Sequence, residues 1–386
     1  MITIEKVETR EGFQRLKPLW NPLLESSSGN TITLTWEWLS TWWEVFGEGR
    51  ELYLLLAREG GRVIGIAPLL KRTVQHYGLL PFRRLEFLAS GEDEADEICS
   101  EYLDFIIERG REPEVLEALY RFLNDSDDDW DEMLLTDVAG DSVNLPLLER
   151  LSEAGGTKYH VVREQTGIYV PLPDRWENFL ENVSREFRRK IQRDRRVAKE
   201  IGADLRVIDS FDSSESFESH FETLINLHQA RWTARGLPGV FSSEKFTRFH
   251  RQVAPKLIDK GWVNLFILSL GGRPVAALYD FIYGGKMIYY QSGLDIDSAG
   301  LHSPGILIRS YAIEKAIRDG LTECDFLKGD VTGYKSGYRG QLRNIVQLRL
   351  ARSRSKEAVY AATARVVDGL RSIKRSLVTL QFRELP

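Results

Sequence analysis

Short apolar runs separated by glycine turns occupy the last third of the chain and predict β-strands. Two such runs flank Gly271-Gly272-Arg273 and predict a hairpin, and a third follows across Gly284-Gly285. The periodicity then becomes helical at Ser303-Pro304-Gly305, before a last strand that ends in a polar segment. The predicted strands are Trp262–Leu270, Pro274–Tyr283, Lys286–Gly293 and Thr322–Leu327, and the helix runs from Pro304 to about Asp319.

The same order of elements occurs once earlier in the chain. Leu54–Leu69 aligns with Leu265–Asp280, each an apolar strand, a Gly-Gly-Arg turn and a second apolar strand. Each half also predicts a helix before this hairpin, and a helix and a strand after it. The matching segments are Thr35–Phe46 with Ser243–Ile258, Pro113–Leu123 with Pro304–Arg318, and Glu132–Asp137 with Thr322–Leu327. We interpret this order as two copies of one α/β unit.

The repeat sets the predicted division of the chain. We expect a degenerate first unit at residues 1–166, a crossing strand and a basic helix at 167–202, a second unit at 203–352, and a C-terminal amphipathic helix at 353–386. The crossing strand is Gly167–Pro173. The first unit has no counterpart of Lys328-Gly329-Asp330 or Tyr334-Lys335, so we expect it to support and shape the second, which holds the chemistry.

Charge is distributed unevenly along the chain, although the net charge is only −5. The stretch Glu86–Glu132 has 18 acidic and 3 basic residues, whereas Ser184–Lys199 has 8 basic and 2 acidic residues. The basic stretch predicts a helix with Ser184 as its N-cap. Its arginines are expected either to bind phosphates of a nucleotide-linked substrate or a charged tRNA, or to form a solvated helix neutralised by the acidic unit. The acidic stretch is interpreted as a solvated face.

Composition is typical of a soluble globular protein, with 386 residues, 42% hydrophobic and 28% charged. The N-terminus has no apolar stretch after basic residues, so we expect no signal peptide, and no run approaches the ~20 apolar residues that span a bilayer. Cys99 and Cys324 lie far apart, without metal or redox spacing. We therefore expect a cytoplasmic protein with no metal and no stable membrane insertion.

Motifs in the second unit resemble those of the GNAT-type N-acyltransferases. More narrowly, they resemble the two-unit acetyltransferases named for cellulose and exopolysaccharide biosynthesis, which are related to the Fem-type aminoacyl transferases. The residues that carry the resemblance are Leu227-His228, Arg231-Trp232, Gly236, Gly272–Ala277, Tyr290–Gly293, Ser303–Gly305, Asp325-Phe326, Gly329-Asp330, Tyr334-Lys335 and the basic helix. The resemblance implies an α/β (α+β) fold of two tandem GNAT-like units, each a mixed twisted sheet flanked by helices.

The resemblance also implies where an acyl donor such as acetyl-CoA would bind. The strands Lys286–Gly293 and Thr322–Leu327 would splay apart to receive the pantetheine arm. A backbone N–H near Gln291, Ser292 and Gly293 would polarise the acyl carbonyl, with Gly293 forming either a bulge or an ordinary turn. Ser303 and Gly305 would bind the pyrophosphate at a helix start. The sequence Leu301–Gly305 departs here from the usual Gln/Arg-x-x-Gly-x-Gly/Ala loop, which places coenzyme A itself in question.

Candidate catalytic groups follow the last strand. Asp330 is expected either to take the proton of an amine acceptor or to cap a turn. Lys335 is expected to polarise the acyl carbonyl, to hold a phosphate or to form a surface ion pair. Tyr334 would protonate the leaving thiolate or lie at the edge of the core, and Asp325 would pair with an arginine. His228, Arg231, Trp232 and Lys328 are the candidate substrate-binding residues, with a buried, hydrogen-bonded histidine as the alternative for the first.

These features predict an N-acyltransferase without a covalent enzyme intermediate. The expected reaction moves an acetyl group from acetyl-CoA to an amine on a sugar or on a polysaccharide or envelope precursor. One alternative is a Fem-like aminoacyl-tRNA-dependent transferase, with the charged tRNA at Arg188, Arg189, Arg195 and Arg196. The other is a non-catalytic scaffold of a polysaccharide-synthesis complex.

Overall fold

The computed structural model describes residues 1–76, 80–125, 129–209, 214–295, 301–330 and 332–352, together with residues 358 and 363. Residues 1–171 are called the first half and residues 172–352 the second half. The first half contains β1 (Ile2–Val7), α1 (Arg10–Arg15), α2 (Lys17–Ser26), α3 (Trp36–Phe46), β2 (Glu51–Glu59), β3 (Arg62–His76), β4 (Leu80–Phe87), β5 (Ile106–Ile107), α4 (Glu112–Asp125), β6 (Glu132–Ala139), α5 (Leu145–Gly155) and β7 (Lys158–Pro171).

The second half repeats this succession. It contains α6 (Trp176–Asn182), α7 (Arg185–Glu200), β8 (Ala203–Ile208), α8 (Ser214–Thr233), α9 (Glu244–Ile258), β9 (Val263–Leu270), β10 (Arg273–Tyr283), β11 (Lys286–Leu294), α10 (Pro304–Arg318), β12 (Glu323–Lys328) and β13 (Gln341–Ala351). The predicted hairpins, the basic helix α7 and the helix α10 are confirmed. The glycine turns define these elements because they adopt left-handed backbone that other residues avoid, as at Gly271 and Gly272.

One mixed sheet runs through both halves. Its strand order is β1-β2-β3-β4-β6-β13-β7-β12-β11-β10-β9-β8, with β5 paired to β3. Read from either end, the order is four antiparallel strands, a parallel neighbour and then the last strand of the opposite half. This symmetry shows the repeat in the fold itself. The predicted fold class, mixed sheets flanked by helices in a tandem arrangement, is confirmed.

The two halves exchange their last strands at the centre of the sheet. β7 leaves the first half and pairs with β12, whereas β13 leaves the second half and pairs with β6. The two exchanged strands also pair with each other, from Lys158 opposite Ala351 to Tyr169 opposite Gln341. The predicted crossing strand is therefore part of β7, but β7 begins at Lys158, so the boundary expected after residue 166 falls within a strand.

Aromatic packing between the equivalent helices α3 and α9 joins the halves away from the sheet. Thr35 caps α3 by accepting from the Trp38 N–H at 3.4 Å. Trp38 is fully buried, and its ring centroid lies 4.9 Å from that of Phe249 on α9 and 5.3 Å from that of Phe281 on β10. The core is thus continuous across both halves, and the first half forms one wall of any cleft at their junction.

Two further sequence predictions concern membranes and the C-terminus. Among the described residues, no helix has both the length and the apolar character to cross a bilayer. Within the same residues, no three His, Cys, Asp or Glu side chains are grouped as metal ligands would be. The amphipathic helix predicted within residues 353–386 lies outside the described residues.

Candidate functional site

The parallel strands β11 and β12 separate partway along their length. They pair only from Lys286–Ile288 to Glu323–Asp325, whereas β11 continues to Leu294 and β12 to Lys328. The predicted splay between these strands is confirmed. Beyond the last pair the two strands no longer bond each other, and on β12 the Phe326 carbonyl and the Lys328 N–H bond side chains instead.

The bulge near the opening lies at Tyr290 and not at Gly293, as the sequence analysis had allowed. Tyr279 pairs with Gln291 and Asp280 with Tyr289, which leaves Tyr290 as the extra residue of β11. Gly293 is needed for a different reason. A Cβ there would lie 2.6 Å from Leu227 Cβ and 2.7 Å from the His228 backbone nitrogen, so glycine lets α8 approach β11 closely.

The other predicted residues of β11 differ in exposure. Gln291 is half-buried at the opening, and Ser292 is buried, with its Oγ 2.8 Å from Tyr289 Oη. Their backbone amides lie directly after the bulge. Gln291, Ser292 and Gly293 therefore lie at the splay, and their contact with an acyl donor stays a prediction.

Helix α10 begins beside the end of β11. A Cβ on Gly305 would lie 2.9 Å from a methyl carbon of Leu294. Ser303 occupies the N-cap position, but its side chain makes no capping hydrogen bond, and its carbonyl accepts from the Ile306 and Leu307 N–H groups at 3.0 Å each. Because Pro304 has no N–H and the Ile306 N–H is already bonded, this start offers few amides to a pyrophosphate.

Lys335 is buried at the end of β12. Its relative exposure is 9%, and its Nζ donates to the Phe326 carbonyl at 3.1 Å. Burial lowers the pKa of Lys335, while the negative charge of Glu101 opposes this shift. The side chain is therefore not a surface ion pair, and its Nζ bonds the residue of β12 that directly follows the last β11–β12 pair.

Asp330 has a different environment. It is exposed, and its Oδ1 accepts from the Thr332 N–H at 2.8 Å and from the Thr332 hydroxyl at 2.5 Å. These hydrogen bonds lower the pKa of Asp330, which weakens it as a base. The geometry is that of the turn cap considered as its alternative. The side chain of Tyr334 lies outside the described residues.

Lys328 connects the second half to the acidic stretch of the first. Its Nζ lies 2.7 Å from Asp137 Oδ2 and 3.3 Å from Glu97 Oε1, and its backbone N–H donates to Glu101 Oε2 at 2.8 Å. Burial acts to lower the pKa of Lys328, but the negative charge of Asp137 outweighs burial and the pKa is raised. The acidic stretch is therefore more than a solvated face, because part of it binds the end of β12.

The three predicted residues of α8 lie apart from the end of β12. His228 is 1% exposed, its Nδ1 is 3.1 Å from Gln229 Oε1, and burial lowers its pKa to about 4. It is thus the buried, hydrogen-bonded histidine of the alternative interpretation. Trp232 lies beside it, with ring centroids 5.9 Å apart, and the Arg231 guanidinium is 5.8 Å from the Trp232 ring.

A narrow pocket lies between the two halves where β11 and β12 separate. It offers about 50 Å³ to water-sized molecules. The first half contributes Thr33, Trp38 and Glu101 to its walls, and the second half contributes Ile288, Tyr290 and Leu327. None of the α8 candidates lines it.

The corresponding opening in the first half, between β4 and β6, is polar. Arg72 binds Glu86 through two hydrogen bonds of 2.8 and 3.0 Å, and Arg84 also contacts Glu86 at 3.4 Å. These side chains line the space that remains there, about 220 Å³. The first-half opening is therefore lined by paired charges, whereas the second-half pocket is lined mainly by aromatic and aliphatic side chains.

Sequence reasoning did not single out Glu101, although it is a buried carboxylate that lines the pocket together with Asp325. It is 2% exposed, and burial raises its pKa to about 8, against the opposing charge of Lys328. The only sequence signal was the excess of acidic residues in which it lies. Nothing in that pattern distinguishes the glutamates of this stretch that are buried, Glu86, Glu101, Glu112 and Glu132, from those on the surface.

Comparisons with known proteins match the part of the chain that contains the splayed strands. Residues 185–336 match the acetyltransferase (GNAT) domain family. The chain carries a GNAT domain. It is accordingly an enzyme of the acyltransferase type, and the matched residues include α7, α8, the splayed strands and Lys335.

Solved structures extend the likeness over both halves. The crystal structure of FemX is 14% identical, with a TM-score of 0.63, and the match covers 93% of this chain and 99% of that one. The C-terminal domain of a putative lysylphosphatidylglycerol synthetase from Agrobacterium fabrum is 8% identical, with a TM-score of 0.50, and the match covers 91% of this chain and 96% of that one. These likenesses show the fold. No curated protein matches the chain.

Proposed function

We propose that the GNAT domain of this chain transfers an acyl group directly to an amine whose carrier binds between the two halves. The observation that carries this proposal is the opening between β11 and β12, which lies beside both the buried Lys335 and the pocket between the halves. The donor would enter the splay and the acceptor would approach through the pocket. The simplest donor is acetyl-CoA, which GNAT domains typically use.

The residues that the splay brings together have distinct roles in this proposal. The amides near Gln291, Ser292 and Gly293 and the Lys335 ammonium polarise the acyl carbonyl. The helix start at Ser303 and Gly305 faces the donor phosphates in this proposal, although it offers them few amides. The amine attacks the carbonyl carbon, so that a C–N bond forms and the C–S bond of the thioester breaks, without a covalent enzyme intermediate.

The acceptor class is an amine on a sugar or on a polysaccharide or envelope precursor. It follows from the resemblance to the acetyltransferases of cellulose and exopolysaccharide biosynthesis, and the cytoplasmic location is likewise predicted from the sequence. The pocket supports an acceptor that presents one small group through a narrow entrance, since it is small and mostly walled by aromatic and aliphatic side chains.

A second candidate donor is an aminoacyl-tRNA, and helix α7 favours it. Arg189 and Arg196 are exposed on α7 and Arg188 is half-buried, so they are available to a phosphate backbone. Arg195 is different. Its guanidinium lies 4.2 Å from the Trp176 ring, and it binds Ser310 Oγ at 2.9 Å, so we remove it from the predicted tRNA contacts.

Ligand binding and turnover distinguish these donors. Thermal unfolding is measured with acetyl-CoA, free CoA, and charged and uncharged tRNA, and thiol release from acetyl-CoA is followed with a panel of amino sugars and simple amines. Stabilisation by acetyl-CoA with amine-dependent thiol release supports the acetyltransferase. Stabilisation by charged tRNA alone supports the aminoacyl transfer. Absence of both effects contradicts turnover and supports the scaffold.

A further inference from the structure

Glu101 is a first-half carboxylate fixed against the reacting end of the second half. Its Oε2 accepts from the Lys328 N–H at 2.8 Å, and its backbone carbonyl accepts from the Thr33 hydroxyl at 2.7 Å. These two bonds fix Glu101 at its side chain and at its backbone. Lys328 is the last residue of β12, so the first bond ties Glu101 to the end of that strand. Among the described residues no donor binds Oε1, and Glu101 lines the pocket.

The backbone around Glu101 is strained. Among the described non-glycine residues only six have positive φ, and four of these meet here. Cys99 (φ 49°) and Tyr102 (φ 61°) flank Glu101 in the chain, and Leu327 (φ 57°) precedes the Lys328 amide that binds it. Asp137 (φ 54°) accepts from Lys328 Nζ and, through its carbonyl, from the Leu103 N–H.

Such a backbone conformation is unfavourable for a non-glycine residue and persists only where surrounding contacts impose it, which happens most often at functional sites. These backbone conformations accompany one feature of the loop: the Glu101 side chain is directed inward, whereas Glu94 of the same acidic loop is exposed. A loop without these conformations would leave the carboxylate in solvent, where it keeps its hydration and lies outside the pocket.

The charges that face Glu101 are balanced. Lys328 and Asp325 approach from β12, Asp137 from β6 and Lys335 from the turn after β12. Burial raises the pKa of Glu101 to about 8; the Lys328 charge opposes the rise, and Asp137 and Asp325 add to it. The carboxyl can therefore both take and release a proton near neutral pH, which a general base requires.

We propose that Glu101, from the first half, is the base that takes a proton from the acceptor amine in the acyl transfer of the second half. This inference rests on the proposed function. The ammonium form of the acceptor gives one proton to Glu101, directly or through one water, and the free amine attacks the acyl carbonyl. Its second proton goes to the leaving thiolate, or to the ribose oxygen if the donor is a tRNA, and Glu101 then releases its proton to solvent.

The test compares Glu101→Gln with wild-type protein. Glutamine keeps an oxygen that can accept from the Lys328 N–H, so the fold is expected to persist with an unchanged unfolding temperature. We expect kcat/KM to fall about 10²–10⁴-fold at pH 8 and the acid limb of the pH profile near pH 8 to disappear. Glu94→Gln, an exposed carboxylate of the same acidic loop, is the matched control and keeps wild-type rates.

Two further variants make the outcome decisive. Glu101→Asp keeps a carboxylate and is expected to retain a measurable rate with an acid limb, even if the glutamine variant is unstable. Asp330→Asn tests the base considered first from the sequence. Loss of the acid limb in Asp330→Asn but not in Glu101→Gln would overturn the inference.

The possible failures are separable. If wild-type protein turns over no donor, the proposed function fails and the role of Glu101 fails with it. If wild-type protein is active and Glu101→Gln stays within threefold of it with the same pH profile, only the inference about Glu101 is wrong.

Discussion

Lys335 is a buried lysine, and the groups around it determine its protonation and its reactivity. Its ammonium contacts a backbone carbonyl and no carboxylate among the described residues lies in an ion pair with it. Such a charge is costly to bury, so its retention needs a functional reason. Under the proposed function, that reason is the negative charge that develops on an acyl oxygen during attack.

Substitution of Lys335 by methionine tests this role. Methionine keeps the unbranched stem but removes the charge, so we expect kcat to fall by about 10²-fold or more, with equal or greater thermal stability. Steady-state kinetics and thermal unfolding measure the two effects. Lys245→Met, at a lysine about half exposed, is the control and leaves both unchanged. Equal rates for wild-type protein and Lys335→Met would contradict the role.

At this scale the sequence identified the right segment but not its geometry. Lys335 and Asp330 were singled out together, yet one is buried and the other caps an exposed turn. Whether each side chain is buried or exposed depends on the direction that the chain takes after Gly329 (φ 139°). The pattern of apolar and polar residues does not predict that direction. Glu101 was missed because its inward orientation depends on residues far away in the chain.

Among the elements, helix α8 and strand β11 approach closely, and Gly293 permits this. In Gly293→Ala the added methyl group would meet backbone atoms of α8, including Leu224 O at 2.8 Å, which cannot move independently. We expect a loss of about 1–3 kcal/mol in unfolding free energy and reduced turnover, because the amides at the splay shift. Denaturant unfolding and kcat measure these effects.

Gly305→Ala is the matched control for this prediction. The nearest atom to its added methyl group is the flexible end of the Leu294 side chain at 2.9 Å, and alanine favours the helix more than glycine. We expect a change in stability below about 1 kcal/mol. If the two alanine variants lose equal stability, the close approach at Gly293 does not explain that glycine.

Element positions were largely predictable, since glycine turns and apolar runs define hairpins locally. The exchange of strands was not. β13 (Gln341–Ala351) mixes arginine, asparagine and glutamine with its apolar residues, and β7 begins with a largely exposed run that mixes charged residues with Val161 and Val162. Their hydrophobic signal is weak because both lie in the middle of the sheet with one polar face, and a strand's sequence does not name its partner.

Across the whole molecule, a buried ion cluster joins the halves. Glu132 on β6 is fully buried and binds Arg349 on β13 at 2.6 Å, Arg84 at 2.7 Å and His76 at 2.7 Å. Burial acts to raise the pKa of Glu132, but these partners outweigh burial and lower the pKa to about 2. Because the folded-state pKa is depressed, the resulting stability is present above the unfolded pKa and is lost as pH falls towards 2.

Glu132→Gln is expected to destabilise the protein by about 3–5 kcal/mol at pH 7, because two arginines lose their buried partner. The difference in unfolding free energy between wild-type protein and this variant should shrink as pH falls from about 5 towards 2. Denaturant unfolding across this range measures it. Glu117→Gln, at an exposed helix pair, is the control. A difference that stays constant with pH would contradict the linkage.

Strand exchange also determines when this molecule can finish folding during its synthesis. β6 and β7 are complete once Pro171 has been made, but β13, which separates them in the sheet, ends only at Ala351. Until then the first half carries two strands with unpaired edges, which are sites for aggregation. The nascent chain must therefore protect an incomplete sheet through almost half of its translation, and folding of the first half finishes only with the second.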